Sequence, residues 1–139
     1  MSQPERTVLT IGTFSPPHLG HAYLFKECER YGDRVVVGVN SDEFVEAYKS
    51  KKPEYSFKER EFLIRALGYE TIKNTSSGRI CIDQVNPDVL VIGSDWARKD
   101  YYAQIDVDQD YMDDNQIAMV YIPRIGSLSS TEIRMRTSG

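Results

Sequence analysis

The chain has 139 residues, 27% of them charged and 40% hydrophobic, and a formal net charge of −4. This length predicts a single domain spanning residues 1–139, and the composition excludes a collagen, a coiled coil and a wholly disordered chain. Because proteins that neutralise phosphate backbones are normally basic, the acidic balance disfavours a nucleic acid as partner. No apolar run approaches the ~18 residues of a membrane span and no apolar signal core is visible, so we expect a cytoplasmic protein without a membrane partner.

Short β-rich runs alternate with stretches of helical periodicity along the chain. Five runs predict strands, over residues 7–11, 34–39, 70–73, 89–92 and 117–122. We expect helices over 21–31, after Ser41, after a capping box at 56–59, over 79–85 and after a second capping box at 129–132. The apolar residues after the first capping box are predicted to form a buried helix face: Phe62, Leu63, Ala66 and Leu67. The alternation predicts an α/β fold with one parallel sheet, whose ligands lie at the carboxyl ends of the strands.

The loop between the first strand and the first helix combines two glycines with two histidines. Gly12 and Gly20 allow close approach of the backbone, and a helix start attracts an anion through its unpaired N–H groups and its dipole. His18 and His21 are three residues apart, so both can face one side of the first turn and donate hydrogen bonds to phosphate oxygens. The alternative is that one histidine is a core or capping residue. Neither GxGxxG nor GxxxxGK(S/T) is present, so a dinucleotide oxidoreductase and a P-loop protein are not supported.

A cluster of cations follows the second predicted strand and consists of Lys49, Lys51, Lys52, Lys58 and Arg60. In a protein that is acidic overall, positive charge concentrated after the carboxyl end of a strand suits a polyphosphate. The alternative is a solvated basic loop. Lys58 is predicted to lie on the exposed face of a helix start.

Two further loops carry polar groups near strand ends. Asp95 and Trp96 directly follow a buried strand and could hold a base or a ribose, or form a turn with a packing tryptophan. The loop after the last strand offers either a second anion cradle or an ordinary N-cap, through Arg124, Ser129, Ser130 and Thr131.

The acidic stretch over residues 100–115 imitates the start of an EF-hand at 106–110. Tyr111 and Ile117 occupy the positions that need glycine and glutamate, so we reject calcium binding and expect a solvated helix or loop. The sequence indicates no dedicated metal site.

Two segments together resemble the signatures of the HxGH nucleotidyltransferase superfamily. Gly12-Thr13-Phe14 followed by His18-Leu19-Gly20-His21 is similar to the first signature, and Arg124 with residues 128–133 is similar to the second. The lysine run at 49–52, residues 56–60 and residues 93–96 most resemble the glycerol-3-phosphate cytidylyltransferases. The resemblance covers residues 7–134.

This resemblance implies a Rossmann-like three-layer α/β/α fold with a five-stranded parallel sheet, and a homodimer. It implies a reaction that joins a nucleoside triphosphate, expected to be CTP, to a small phosphorylated alcohol such as glycerol 3-phosphate and releases pyrophosphate. Mg²⁺ is expected to accompany the triphosphate, held mostly by phosphate oxygens and water.

The resemblance also implies roles for individual residues. The expected catalytic residues are His18, His21, Lys51 and Arg124. Lys49 and Lys51 are expected to bracket the substrate phosphate and the reacting centre, and Arg60 to bind the phosphate of the acceptor. The expected nucleotide-binding residues are Gly12, Thr13, Phe14, His18, His21, Asp95, Trp96, Arg124, Ser129, Ser130 and Thr131.

The chain departs from the family pattern at several positions. Ser15 stands where the first signature usually has aspartate, which leaves open a nucleotide-binding regulator that has lost turnover. The proline pair Pro16-Pro17 before His18 resembles the same position in adenylyltransferases. This leaves open ATP as the nucleotide, with a sugar phosphate, pantetheine phosphate or nicotinate mononucleotide as the acceptor. Leu128 replaces the isoleucine of the second signature.

Overall fold

The computed structural model describes residues 5–76, 78–93 and 108–122, which contain five strands and five helices. The strands are β1 (Thr7–Gly12), β2 (Arg34–Asn40), β3 (Glu70–Asn74), β4 (Val89–Gly93) and β5 (Ala118–Ile122). The helices are α1 (Leu19–Cys28), α2 (Asp42–Lys49), α3 (Phe57–Ala66), α4 (Gly78–Val85) and α5 (Gln109–Asp114). The five predicted strands are confirmed, and the helix predicted over 21–31 begins two residues earlier and ends three residues earlier, at Cys28. The helix predicted after 129–132 lies outside the described residues. Within the described ranges, none of the helices has the length and apolar character to cross a membrane.

The five strands are all parallel and lie in the order β3-β2-β1-β4-β5. β1 pairs with β2 along its whole length and with β4 at Val8–Val89 and Leu9–Leu90. The chain therefore builds the sheet outward from β1 to β3 and then continues on the other side of β1. In such sheets the ligand site lies at the carboxyl ends of the strands beside this change of direction.

Helices cover both faces of the sheet, because alternate side chains of the buried strands point to opposite faces and both sets are apolar. On one face Leu9 belongs to a core cluster with Ile82 of α4. On the other face Val37 belongs to a cluster with Phe25 of α1 and Ile64 of α3. These layers confirm the predicted Rossmann-like α/β/α fold.

Helix α3 begins as predicted but buries a different face. The Ser56 hydroxyl accepts from the Glu59 N–H, and the Glu59 carboxylate accepts from the Ser56 N–H. Arg60 and Ile64 are fully buried. The residues predicted to be buried are exposed instead: Phe62 (71%), Leu63 (40%), Ala66 and Leu67 (50%). The prediction was wrong because Arg60 finds partners for its polar atoms inside the protein, which hydrophobic periodicity cannot reveal.

Part of the acidic stretch forms α5. Asp108 caps this helix by accepting a hydrogen bond from the Tyr111 N–H at 2.8 Å. Met112 is buried and joins the core, so one apolar residue anchors an otherwise polar segment. Residues 100–107 of the stretch lie outside the described residues.

Short hydrogen-bonded connections close the amino-end edge of the sheet. The Asp88 N–H donates to the Thr7 carbonyl, and the Thr7 N–H donates to the Asp88 carboxylate, both at 2.8 Å. The Asp88 carbonyl accepts from the Ala118 N–H at 2.9 Å, and the Arg6 carbonyl accepts from the Asp33 N–H at 2.8 Å. These bonds join the starts of four strands at the edge opposite the predicted site.

Candidate functional site

The carboxyl ends of the strands place the predicted loops at one edge of the sheet. β1 ends at Gly12, β2 at Asn40, β3 at Asn74 and β4 at Gly93. Because all strands run in the same direction, the segments that follow these residues share that edge. The histidine loop, defined as residues 12–21, leaves β1 beside the point where the strand order changes.

His18 and His21 stack on each other at the start of α1. Their ring centroids are 3.8 Å apart, with an angle of 25° between the planes. His18 is the N-cap of the helix, and its Nδ1 accepts from the Gly20 N–H at 3.0 Å. The His21 Nδ1 accepts from the His18 backbone N–H at 3.2 Å, so the two side chains form a reciprocal capping box. The histidines face one side of the first turn, as predicted, and His18 is also a capping residue.

The same hydrogen bonds determine which ring nitrogens carry hydrogen. A neutral imidazole has one donor and one acceptor nitrogen, and Nδ1 is the acceptor in both rings, so Nε2 is the donor. Burial, with a smaller contribution from His18, lowers the pKa of His21 from 6.5 to about 3. His21 is therefore neutral at physiological pH, and its Nε2–H can donate to an anion without giving up the proton.

Phe14 and Gly12 pack against the histidine pair. Phe14 has a φ of 54° and is 6% exposed. Its ring meets the His21 ring edge-on at a centroid distance of 5.0 Å and the Phe25 ring at 5.3 Å. A Cβ atom on Gly12 would lie 2.8 Å from the Phe14 ring, so this packing requires glycine. The structure thus gives both residues a part in holding His21, and their contact with a nucleotide stays a prediction.

Arg60 has a role that the sequence analysis did not predict. Its side chain is 0% exposed, and its Nη1 donates to the carbonyls of Thr13 and Asn40, both at 2.8 Å. Nε donates to the Tyr55 carbonyl at 2.9 Å, and Nη2 pairs with the Asp42 carboxylate at 2.7 Å. A guanidinium enclosed by these partners has no surface for a ligand. The structure therefore contradicts the expectation that Arg60 binds the phosphate of the acceptor.

Two buried asparagines connect the ends of β1, β2 and β3. The Asn40 side-chain amide donates to the Thr13 hydroxyl at 3.1 Å, and the Asn74 amide donates to the Asn40 side-chain oxygen at 2.9 Å. These bonds orient Thr13, which was predicted to contact phosphate. Neither asparagine was among the predicted site residues. The available signal was that each is a polar residue directly after a strand run, at the edge where ligands bind.

The lysines of the basic cluster lie in and beside the connection between α2 and α3. Lys49 is the last residue of α2, and Lys51 and Lys52 are exposed. Lys58 is exposed at the start of α3, as predicted. The connection is joined to the histidine loop, because the Tyr55 N–H donates to the Ser15 hydroxyl at 3.0 Å.

The other predicted site residues lie outside the described residues: Asp95, Trp96, Arg124, Ser129, Ser130 and Thr131. Among the residues that are described, no group of three or more histidine, cysteine, aspartate or glutamate side chains could hold a metal ion.

Comparisons with known proteins bear on what this site does. Residues 9–136 match a family model described as Cytidylyltransferase-like. The chain is 33% identical to a glycerol-3-phosphate cytidylyltransferase from Bacillus subtilis (strain 168), over 96% of this chain and 98% of that protein. It is 32% identical to a protein of the same name from Bacillus spizizenii, over 93% of this chain and 95% of that protein. A lipopolysaccharide core biosynthesis protein from Thermoplasma volcanium shares the fold, with a TM-score of 0.71 at 24% identity over 88% of this chain and 99% of that chain.

Proposed function

Because this chain belongs to the cytidylyltransferase-like family of nucleotidyltransferases, we propose that it transfers a cytidylyl group from CTP to glycerol 3-phosphate, with release of pyrophosphate. The observation that carries the proposal is the stacked pair of His18 and His21, whose Nε2–H groups are both donors. The choice of CTP and glycerol 3-phosphate is supported by the similarity to the two Bacillus enzymes over nearly their whole lengths.

In the proposed reaction, a phosphate oxygen of the acceptor attacks the α-phosphorus of CTP. The bond between this phosphorus and the oxygen that bridges to the β-phosphate breaks, and pyrophosphate leaves with that electron pair. The attacking oxygen is already anionic, so no general base is needed. Catalysis then depends on positioning and on stabilising the charge that develops at the α-phosphate. His18 and His21 supply fixed donors for that charge, and His21 donates as a neutral imidazole because its low pKa excludes the imidazolium form.

The other residues of the proposed site surround the two phosphate groups. Lys49 and Lys51 bracket the phosphate of the acceptor and the reacting centre, and Thr13 contacts phosphate. Asp95 and Trp96 hold the nucleoside. The β- and γ-phosphates are bound by Arg124, Ser129, Ser130 and Thr131. Mg²⁺ enters with the triphosphate as part of the substrate, held mostly by phosphate oxygens and water.

We also propose that two copies of the chain associate through α3. Phe62 and Leu63 of this helix and its C-cap residue Leu67 expose 71%, 40% and 50% of their surfaces. A second copy presents the same apolar patch, and a two-fold axis through it would bury both patches together.

The proposed location is the cytoplasm, where nucleoside triphosphates and phosphorylated metabolites are available.

Thermal unfolding with nucleotides tests the choice of base. A ligand at 100 times its dissociation constant adds about 2.7 kcal/mol to stability, which raises the melting temperature of a domain of this size by roughly ten degrees. With Mg²⁺ present, CTP should give such a shift and ATP a much smaller one. Protein groups that hydrogen-bond the edge of cytosine would be left without partners when adenine is bound. A larger shift with ATP would favour the adenylyltransferase alternative that Pro16 and Pro17 suggest.

Pyrophosphate release then tests the reaction itself. CTP with glycerol 3-phosphate should yield pyrophosphate in proportion to the enzyme. If CTP stabilises the protein but no acceptor in a broad panel yields pyrophosphate, and Ser15→Asp restores the release, the chain is a nucleotide-binding regulator.

A further inference from the structure

The stretch of chain that contains the basic segment, residues 49–52, is held on both sides of that segment by the same buried side chain, Arg60. On its amino-terminal side, Asp42 at the start of α2 forms an ion pair with Arg60 Nη2 at 2.7 Å. On its carboxyl-terminal side, the Tyr55 carbonyl accepts from Arg60 Nε at 2.9 Å. The two contacts close the intervening chain into a loop with a fixed base.

The base of this loop is fastened to the histidine loop at two points. Arg60 Nη1 donates to the Thr13 carbonyl at 2.8 Å, and the Tyr55 N–H donates to the Ser15 hydroxyl at 3.0 Å. Tyr55 is thus held through both its N–H and its carbonyl.

We infer that Ser15 and Arg60 are positioning residues that hold the basic segment against the histidine loop, so that Lys49 and Lys51 meet the phosphate groups that the histidines bind. This inference rests on the proposed function for its consequence in catalysis, but its structural part can be tested without substrate. This positioning role accounts for a serine at position 15. The hydroxyl accepts a backbone hydrogen bond that fixes the neighbouring loop.

The physical basis is the cost of releasing the buried hydrogen-bonding groups. Arg60 is 0% exposed, and three backbone carbonyls and one carboxylate accept its hydrogen bonds. Removing the guanidinium leaves these buried and partly buried acceptors without their donor, so the loops have to open further to water to regain partners. Lysine has one nitrogen in place of three, so Arg60→Lys retains a charge for Asp42 but cannot maintain all four bonds.

Hydrogen exchange of the full chain without substrate tests the structural part. Ser15→Ala should speed the exchange of amides in residues 49–56 by about fivefold, the effect of one lost hydrogen bond, and Arg60→Lys should speed it more. Ser15→Thr retains the hydroxyl and should restore the slow exchange. Arg65→Lys makes the matched change on the same helix at an exposed side chain, and it should leave residues 49–56 unaffected. Unchanged exchange in both Ser15→Ala and Arg60→Lys would overturn the inference.

Kinetics tests the consequence in catalysis. Loosening the basic segment should raise KM for the acceptor and lower kcat in Ser15→Ala, with Ser15→Thr close to the original enzyme. The effects of Ser15→Ala and Lys51→Ala on turnover should be less than additive. A Lys51 that Ser15→Ala has already displaced contributes little to turnover, so its removal has a small further effect. The positioning role would be refuted if the effects of the two substitutions on turnover were strictly additive and the amides of residues 49–56 exchanged as slowly in Ser15→Ala as in the unaltered protein. If all proteins lack transferase activity but the exchange rates change as expected, the proposed function fails while the positioning of the segment stands.

Discussion

The buried, neutral state of His21 makes a quantitative prediction about stability and pH. The pKa of this side chain falls from 6.5 to about 3 on folding. Between these two pH values the unfolded chain binds a proton at His21 that the folded chain does not bind. Stability therefore increases with pH across this interval, and it is lost as the pH falls. For one proton the slope approaches about 1.4 kcal/mol per pH unit, so lowering the pH from 6 to 4 should cost roughly 2–3 kcal/mol through His21.

The test compares the protein with His21→Gln, which retains a polar side chain of similar size that does not titrate. Urea unfolding at pH 6, 5 and 4 gives the free energy of unfolding of each protein. All carboxylates are common to both, so their titration cancels in the difference. The variant should start less stable at pH 6 and lose roughly 2–3 kcal/mol less than the original protein between pH 6 and pH 4. Parallel pH dependences would show that His21 titrates normally, and the assignment of its Nε2–H as a permanent donor would then be wrong.

Three further outcomes concern turnover and assembly. His18→Ala should lower turnover by roughly 10²–10³ while circular dichroism shows a folded protein, and near-normal activity in that variant would exclude the histidine pair from the reaction. Lys51→Ala should reduce turnover, whereas Lys58→Ala should leave it unchanged, and equal effects would indicate a solvated cluster of lysines. Phe62→Asp should convert a dimer into a monomer in light scattering, while Ile80→Asp, a matched change at an exposed residue of α4, should not. A monomeric unaltered protein at micromolar concentration would refute association through α3.

The sequence was most informative where spacing and chemistry coincide. The three-residue spacing of His18 and His21 predicted that both rings face one side of α1, and their stacking confirms it. The strand runs predicted the parallel sheet because their apolar residues extend over both faces. Hydrophobic periodicity could not reveal their mutual capping, since that depends on which nitrogen of each ring accepts a hydrogen bond.

The sequence was least informative where a charged side chain is buried. Arg60 lies in a cluster of exposed cations, and nothing local distinguishes it from Lys58. Two of the carbonyls that accept its hydrogen bonds belong to Thr13 and Asn40, which are 47 and 20 residues away in sequence and approach it only in the folded chain. The wrong face predicted for α3 has the same origin, because the tertiary contacts of Arg60 decide the rotation of the helix about its axis.

The bonds that Asp88 and Arg6 make at the amino-end edge have a consequence for how such an enzyme can evolve. They connect the strands through backbone groups and one carboxylate, far from any residue proposed to touch a substrate. Substitutions at exposed residues of the loops at the opposite edge, such as Lys51 and Lys52, can therefore change which alcohol or base is accepted while the folding free energy stays nearly constant. A chain built in this way can exchange one acceptor for another in single mutational steps without first acquiring extra stability. We expect the preference for an acceptor to diverge among relatives faster than the contacts of Asp88.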